Sequence, residues 1–158
     1  MSVTVDVEGF AELERTLDNL SKAAGKGVLR RALKKAAQPT ADLASSMAPV
    51  RTGNLARSVI VGAKLDGRQA RIHRRMFRDD KSSVEMFVGP SYLSGDGGRH
   101  GHLVEFGTWK MAAQPFMRPA WDQDKRAMLD RLSEELWAEL EKAIRRAEKR
   151  AAKLAAKG

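Results

Sequence analysis

From Pro119 onward, Met128, Leu129, Leu132, Leu136, Leu140, Ile144 and Ala147 recur mostly at spacings of three and four. That repeat places them on one face of a single long α-helix. Pro119 is well placed as the first helical residue, where a missing N–H costs nothing. At 1.5 Å per residue the helix is expected to run about 50 Å. A surface helix with one apolar stripe needs other elements to cover that stripe, so the chain must build a core around it. Beyond Ile144 the stripe thins to Ala147, Ala151 and Leu154 among lysines and arginines, and the last turns are expected to fray or to lie against something else.

The N-terminal half mixes periods. Val3, Val5 and Val7 alternate with polar residues and stop at Gly9, which reads as a short strand. Phe10, Leu13, Leu17 and Leu20 follow at helical spacing, with Gly25 and Gly27 as an interruption. Leu29, Leu33, Ala36, Thr40, Leu43 and Met47 continue a helical stripe that Pro39 is expected to kink. Ala48 to Asn54 is a turn cluster. Three strands are then expected, over Ser58 to Lys64, Gln69 to Met76 and Val84 to Pro90, with Asp66-Gly67 as a hairpin turn between the first two. Ser94 to Gly101 has four glycines in eight positions and reads as a mobile loop. The expected fold is α+β: a small antiparallel sheet of three to four strands packed against helices, with a long C-terminal helix.

At 158 residues the chain is long enough for one domain with a real core and too short for two. The expected organisation is one domain over 1–145 and a basic helical extension over 146–158. No run approaches the roughly 20 apolar residues of a spanning helix, and Met1 to Asp6 lacks the basic start and apolar core of a secretory signal. Without cysteine there is no thiolate catalysis, disulfide or cysteine-ligated zinc. The formal charge of +9 is uneven: Arg51 to Lys81 contributes +6 and Glu141 to Gly158 contributes +5. Those stretches suit a polyanion or an acidic protein surface, or are simply solvated faces.

Catalytic patterns are weak. The glycine-rich segment lacks the Gly-Lys-Ser/Thr ending of a phosphate cradle and the spacing of a dinucleotide fold. His100 and His102 could pair on a metal, but no third ligand stands nearby. Glu105 is the lone acid between Gly97 and Gln114, so a helix cap or a structural salt bridge suits it better than a catalytic role in a hydrolase with His100 and His102. Trp121 and Trp137 read as packing residues on the long helix. No cofactor is expected.

Two motifs carry a resemblance. His102-Leu103-Val104-Glu105-Phe106-Gly107-Thr108 is followed by Pro115-Phe116-Met117-Arg118-Pro119-Ala120, and upstream stand Pro49, Thr52-Gly53 and Leu55. The order "TG-x-L, strands, EFGT, PF-x-RPA, final helix" resembles the Hong Kong 97 gene-product-ten family of small phage connector proteins, over roughly residues 5 to 145. Physically, Gly53 and Gly107 sit where chain reversals call for positive φ, Pro115 and Pro119 set the entry to the last helix, and Phe116 is placed to plug an apolar pocket. Thr52, Gly53, Leu55, Glu105, Phe106, Gly107, Thr108, Pro115, Phe116, Arg118 and Pro119 are thus scaffold residues.

The resemblance implies a structural virion protein and not an enzyme. It would be a homo-oligomeric ring, most plausibly sixfold, at the head-tail junction around the DNA channel, between neck or head-closure proteins and the tail tube. It would enter the virion from the host cytoplasm, with no membrane stage. Arg68, Arg71, Arg74, Arg75 and Arg78 are candidates to border that channel and meet double-stranded DNA in transit. A tail terminator capping the tube, or a non-sequence-specific nucleic-acid-binding protein, are the alternatives.

Overall fold

The computed structural model describes residues 15, 16, 18, 20, 22–78, 84–92 and 96–157. The expected strand at Val3 to Val7, and most of the helical face starting at Phe10, lie outside the described residues. Helix α1 spans Lys22–Met47. A short helix α2 (Asn54–Ser58) leads directly into strand β1 (Val59–Gly62), and helix α3 (Gly67–Met76) follows. After β2 (Phe87–Pro90) come a 3₁₀ segment (Asp96–His100), the short helix α4 (Gly101–Phe106) and the long helix α5 (Met117–Ala155). At 39 residues, α5 is about 58 Å long.

The frame is α1 packed antiparallel on α5. Its seam keeps Ala36 and Thr40 of the expected stripe but not its leucines: the buried face of α1 is Val28, Ala32, Ala36, Ala37, Thr40, Ala41 and Ala44. Alanines let the two backbones approach closely, and Leu29, Leu43 and Met47 pack along the edges. Two clusters result. Val28 and Ala32 meet Leu136 and Leu140, while Ala37, Ala41, Ala44 and Ala48 meet Val59, Val61, Phe116 and Ala120.

Polar staples set the register of the pair. Arg131 grips Asp124 through two nitrogens, at 3.1 and 2.6 Å, and Thr40 donates to the same carboxylate at 2.5 Å. Arg131 also donates to the Ala36 carbonyl from both Nε and Nη2. Pro39 lies on the exposed side of α1, which runs through it unsplit, and Gly25 and Gly27 do not interrupt the helix either. Tertiary cover of the opposite face outweighs these local penalties.

Further along, buried Glu139 accepts from Arg31 at 2.6 Å and Lys35 at 2.9 Å. Donation from Lys35, then from Arg31, outweighs burial and holds its carboxyl down from an ordinary 4.5 to about 2. This staple therefore contributes fully above pH 4.5 and is lost as pH falls through about 2.

The sheet corrects the expectation of three to four strands: among the described residues it has two. β1 and β2 are antiparallel, with Val59 opposite Pro90 and Gly62 opposite Phe87. Val59 and Val61 face the core, and the intervening Ile60 faces outward. The segment expected as the middle strand is α3, and Asp66-Gly67 is its start instead of a hairpin turn. Asp66 Oδ1 accepts from the Arg68 and Gln69 amides at 2.8 and 3.0 Å, and Gln69 Oε1 accepts from the Asp66 amide at 3.3 Å. That reciprocal capping box nucleates a helix that arginine and alanine then propagate. The glycine-rich loop is likewise more regular than expected, since Asp96–His100 forms a 3₁₀ turn running into α4.

From Arg145 to Lys157 every residue is exposed, so the basic end of α5 projects as bare helix. No helix among the described residues is long and apolar enough to cross a membrane. Leu140 is 1% exposed and Leu154 is 73% exposed. Leu140→Ala is therefore expected to cost about 2–5 kcal/mol in urea unfolding, and Leu154→Ala to stay within about 0.5 kcal/mol.

Candidate functional site

The two motifs meet around the start of α5. The first four amides of an α-helix have no partner within it, and here they fall on Phe116, Met117, Arg118 and Pro119. Glu105, at the end of α4, resolves this. Its Oε2 accepts from the amides of Phe116 at 2.7 Å and Met117 at 2.9 Å, and its Oε1 accepts from the Arg118 amide at 3.1 Å. Pro119 has no amide hydrogen to satisfy. One carboxylate and one proline thus close the whole helix start. Pro119 is the third helical residue, not the first, and α5 opens at Met117.

Arg118 completes the clamp. Its Nε donates to Glu105 Oε1 at 2.9 Å, its Nη2 donates to the Glu105 carbonyl at 2.9 Å, and its guanidinium lies over the Phe106 ring at 4.9 Å. Burial pushes the Glu105 carboxyl up, yet the amides of Phe116 and Met117 together with Arg118 outweigh it and hold it below the ordinary 4.5. Glu105 is both helix cap and ion-pair partner, and no lone pair is left over for general-base work.

Gly107 makes the reversal after α4. Its φ is +75°, and a Cβ there would lie 2.7 Å from the Ala113 amide nitrogen and 2.9 Å from the Met111 carbonyl oxygen. Thr108 and Met111 then pair as an isolated bridge, Thr108 N to Met111 O at 2.8 Å and Met111 N to Thr108 O at 3.2 Å. The tip of this turn is Trp109-Lys110. Gln114 returns to α4 through its amide on the Val104 carbonyl at 2.8 Å, and Phe116, fully buried, plugs the cluster beneath. Pro115 stays on the surface.

Upstream, Gly53 also has positive φ, +74°, and starts α2. Thr52 Oγ1 accepts from the Asn54 amide at 3.5 Å, and the Thr52 carbonyl accepts from Arg57 at 3.3 Å. Leu55 packs into the same cluster as Val104 and Phe116, so segments far apart in sequence share one core. Ser45 on α1 ties down the end of this turn by donating to the Ala56 carbonyl at 2.8 Å.

The arginines lie elsewhere. Arg68, Arg71, Arg74 and Arg75 fall within an arc of about 120° on α3, with Arg78 just beyond its end. All five are exposed, and α3 buries none of its residues. It rests on the sheet through His73, whose ring meets Phe87 at 5.2 Å and Phe77 at 4.8 Å. Among the described residues no group of three or more histidines and carboxylates could hold a metal. His100 and His102 are exposed on the 3₁₀ segment and α4.

A cleft of about 690 Å³ opens between the outer face of the sheet and α3, lined by Ile60, Leu65, Asp66, Gln69, Phe87 and Tyr92 among others. Reading the chain as strand here hid both the cleft and the arginine face. The Asp66-x-x-Gln69 spacing, with its arginines three and four apart, was the signal that could have found them.

Residues 11–107 match the family model of the bacteriophage HK97-gp10 tail-component proteins. The chain belongs to this family. The match contains the Thr52-Gly53 turn and Glu105-Phe106-Gly107, and it stops before Pro115 and α5, so it is narrower than the span the motifs suggested. No curated protein and no solved structure matches the chain.

The clamp leads to a direct expectation for this HK97-gp10-like protein. Glu105→Gln keeps the size but replaces an acceptor oxygen with a donor facing amides, and is expected to cost about 1–3 kcal/mol in urea unfolding. Because the folded carboxyl titrates below 4.5, its contribution is present above that pH and lost as pH falls. The variant should therefore lose less stability than wild type on acidification below pH 4.5. Equal acid sensitivity in the two proteins would contradict the clamp.

Proposed function

We propose that this chain is a structural subunit of a ring at the head-tail junction of a tailed phage or phage-like particle, with the arginine face of α3 bordering the DNA channel. Membership in a family of phage tail components supports a place in the virion beside other particle proteins. Glu105, the acid nearest the two histidines in sequence, spends its oxygens on the start of α5, which favours a scaffold over a catalyst.

The observation that carries the channel reading is the placement of charge. Four arginines share one face of a helix that buries none of its residues, and beyond Arg74 Nε on the Ala70 carbonyl within the same helix the described fold is not built on them. Such a face makes non-specific phosphate contacts that suit moving DNA, because no base is read and each contact exchanges readily with counterions. A closed ring, sixfold by family resemblance, joins one patch of each copy to a different patch of the next. Neck or head-closure proteins and the tail tube would flank it. The family's description as a tail component favours the tube side of that junction.

Replacing Arg68, Arg71 and Arg75 together by Glu tests the reading in particles. The expected result is normal incorporation of the chain with loss of DNA retention or delivery. Unaltered delivery by particles that contain the variant would refute the channel role. Tight binding of free duplex by the wild-type protein at physiological salt would instead favour a nucleic-acid-binding module, using α3 and the exposed basic end of α5.

A further inference from the structure

The turn after α4 presents Trp109 at 90% exposure, with Lys110 Nζ 4.5 Å from the centre of its ring and Met111 40% exposed beside it. Large aromatic side chains this bare are uncommon on a finished surface, and a tryptophan next to a cation is a frequent anchor in interfaces. The turn holding it is well braced: the Thr108–Met111 bridge closes it, and the Lys110 amide donates to Thr108 Oγ1 at 3.3 Å. Gly107 and the Glu105 clamp anchor its two ends. It is a rigid knob that none of the described residues covers.

The same chain has a hole. The cleft of about 690 Å³ beside the sheet has Ile60, Leu65 and Phe87 in its lining, and Ile60 is 39% exposed there. Asp66 also lines it. Asp66 Oδ1 is committed to the capping box, while Oδ2 is shielded from solvent and has no hydrogen-bond partner among the described residues. An apolar cleft with an unmatched carboxylate oxygen complements an apolar ring that carries an ammonium on its flank. Lys64, also in the lining, can turn its long stem outward to water.

We infer that the Trp109 knob of one copy seats in the cleft of a second copy, with Lys110 directed to Asp66. The inference rests on the ring reading and deepens it by naming the two unlike patches that a head-to-tail contact requires. The volume exceeds what one indole fills, so the cleft takes Trp109 together with the Lys110 stem and part of Met111. A single chain cannot satisfy its own cleft with a tryptophan that remains exposed, which makes the occupant another molecule. The pairing of the Lys110 ammonium with the unmatched Asp66 oxygen makes it this chain.

The absence of native cysteine gives a clean test. Ala112→Cys, next to the knob, and Ala63→Cys, in the cleft, are made on separate chains, mixed, and treated with a short bismaleimide. The expected result is a covalent pair at twice the single-chain mass that forms between the two variants and disappears when Trp109→Ala is added to the Ala112→Cys chain. With both cysteines on one chain, a ladder of higher multimers is expected. No link in the mixture, or a link indifferent to Trp109→Ala, overturns the contact. Native mass spectrometry of the wild-type protein, together with its detection in purified particles, keeps the two ideas apart. A ring without the link sinks only this contact, whereas the chain's absence from particles sinks the ring reading as well.

Discussion

Three amides at the start of α5 converge on one buried carboxylate, and much of the molecule's geometry depends on that meeting. Without Glu105, the longest element would begin with unpaired donors inside an apolar cluster, a costly arrangement in low dielectric. With it, α4 and α5 are held end to end, Phe116 is driven into the core between α1 and β1, and the short excursion from Gly107 to Pro115 is forced outward. Arg118 neutralises the carboxylate and lies over the Phe106 ring, while the outer surfaces of both side chains stay in water. The helix dipole adds to the effect, because a negative charge at a helix N-terminus is favourable.

The reach of α5 extends this local clamp over the rest of the chain. Pinned at Met117, it runs antiparallel to α1 and meets it at Asp124, Arg131, Glu135 and Glu139. An alanine seam is close-packed but offers little apolar area per residue, so these staples matter for choosing one register among several that small side chains would tolerate. The two-stranded sheet is marginal on its own and gains its stability from α1 beneath it. Its outer face is only partly covered, by a helix with no buried side chain. The outward-facing features among the described residues thus include an arginine face, an apolar cleft, a rigid aromatic knob and the basic end of α5.

Much of this was legible in the amino acids, and the misses have physical reasons. The α5 stripe, the positive φ of Gly53 and Gly107, the capping role of Glu105 and the burial of Phe116 each follow from a strong local constraint that tertiary structure had no reason to override. The seam of α1 was legible only at Ala36 and Thr40, because helical periodicity draws attention to leucines, while the closest approach of two helices selects alanines one position away. Gln69 to Met76 looked like a weak strand since its apolar residues are too few to set either period; the deciding information lay in Asp66, outside the segment. Asp96–His100 shows that glycine permits a turn conformation as readily as it permits looseness. The exposure of the Trp109 knob is a product of assembly in three dimensions and has no signature along the chain, whereas the cleft follows once Asp66 and Gln69 are read as a helix start.

On the proposed function this fold is joined to copies of itself in a particle, its interior spent on scaffold and its exterior left open for contacts. Electron microscopy of purified particles, with this chain labelled, addresses that most directly. The expected image is a closed ring of identical subunits at the junction of head and tail, encircling the path of the DNA. Intact, DNA-filled particles in which the labelled chain is absent would contradict it.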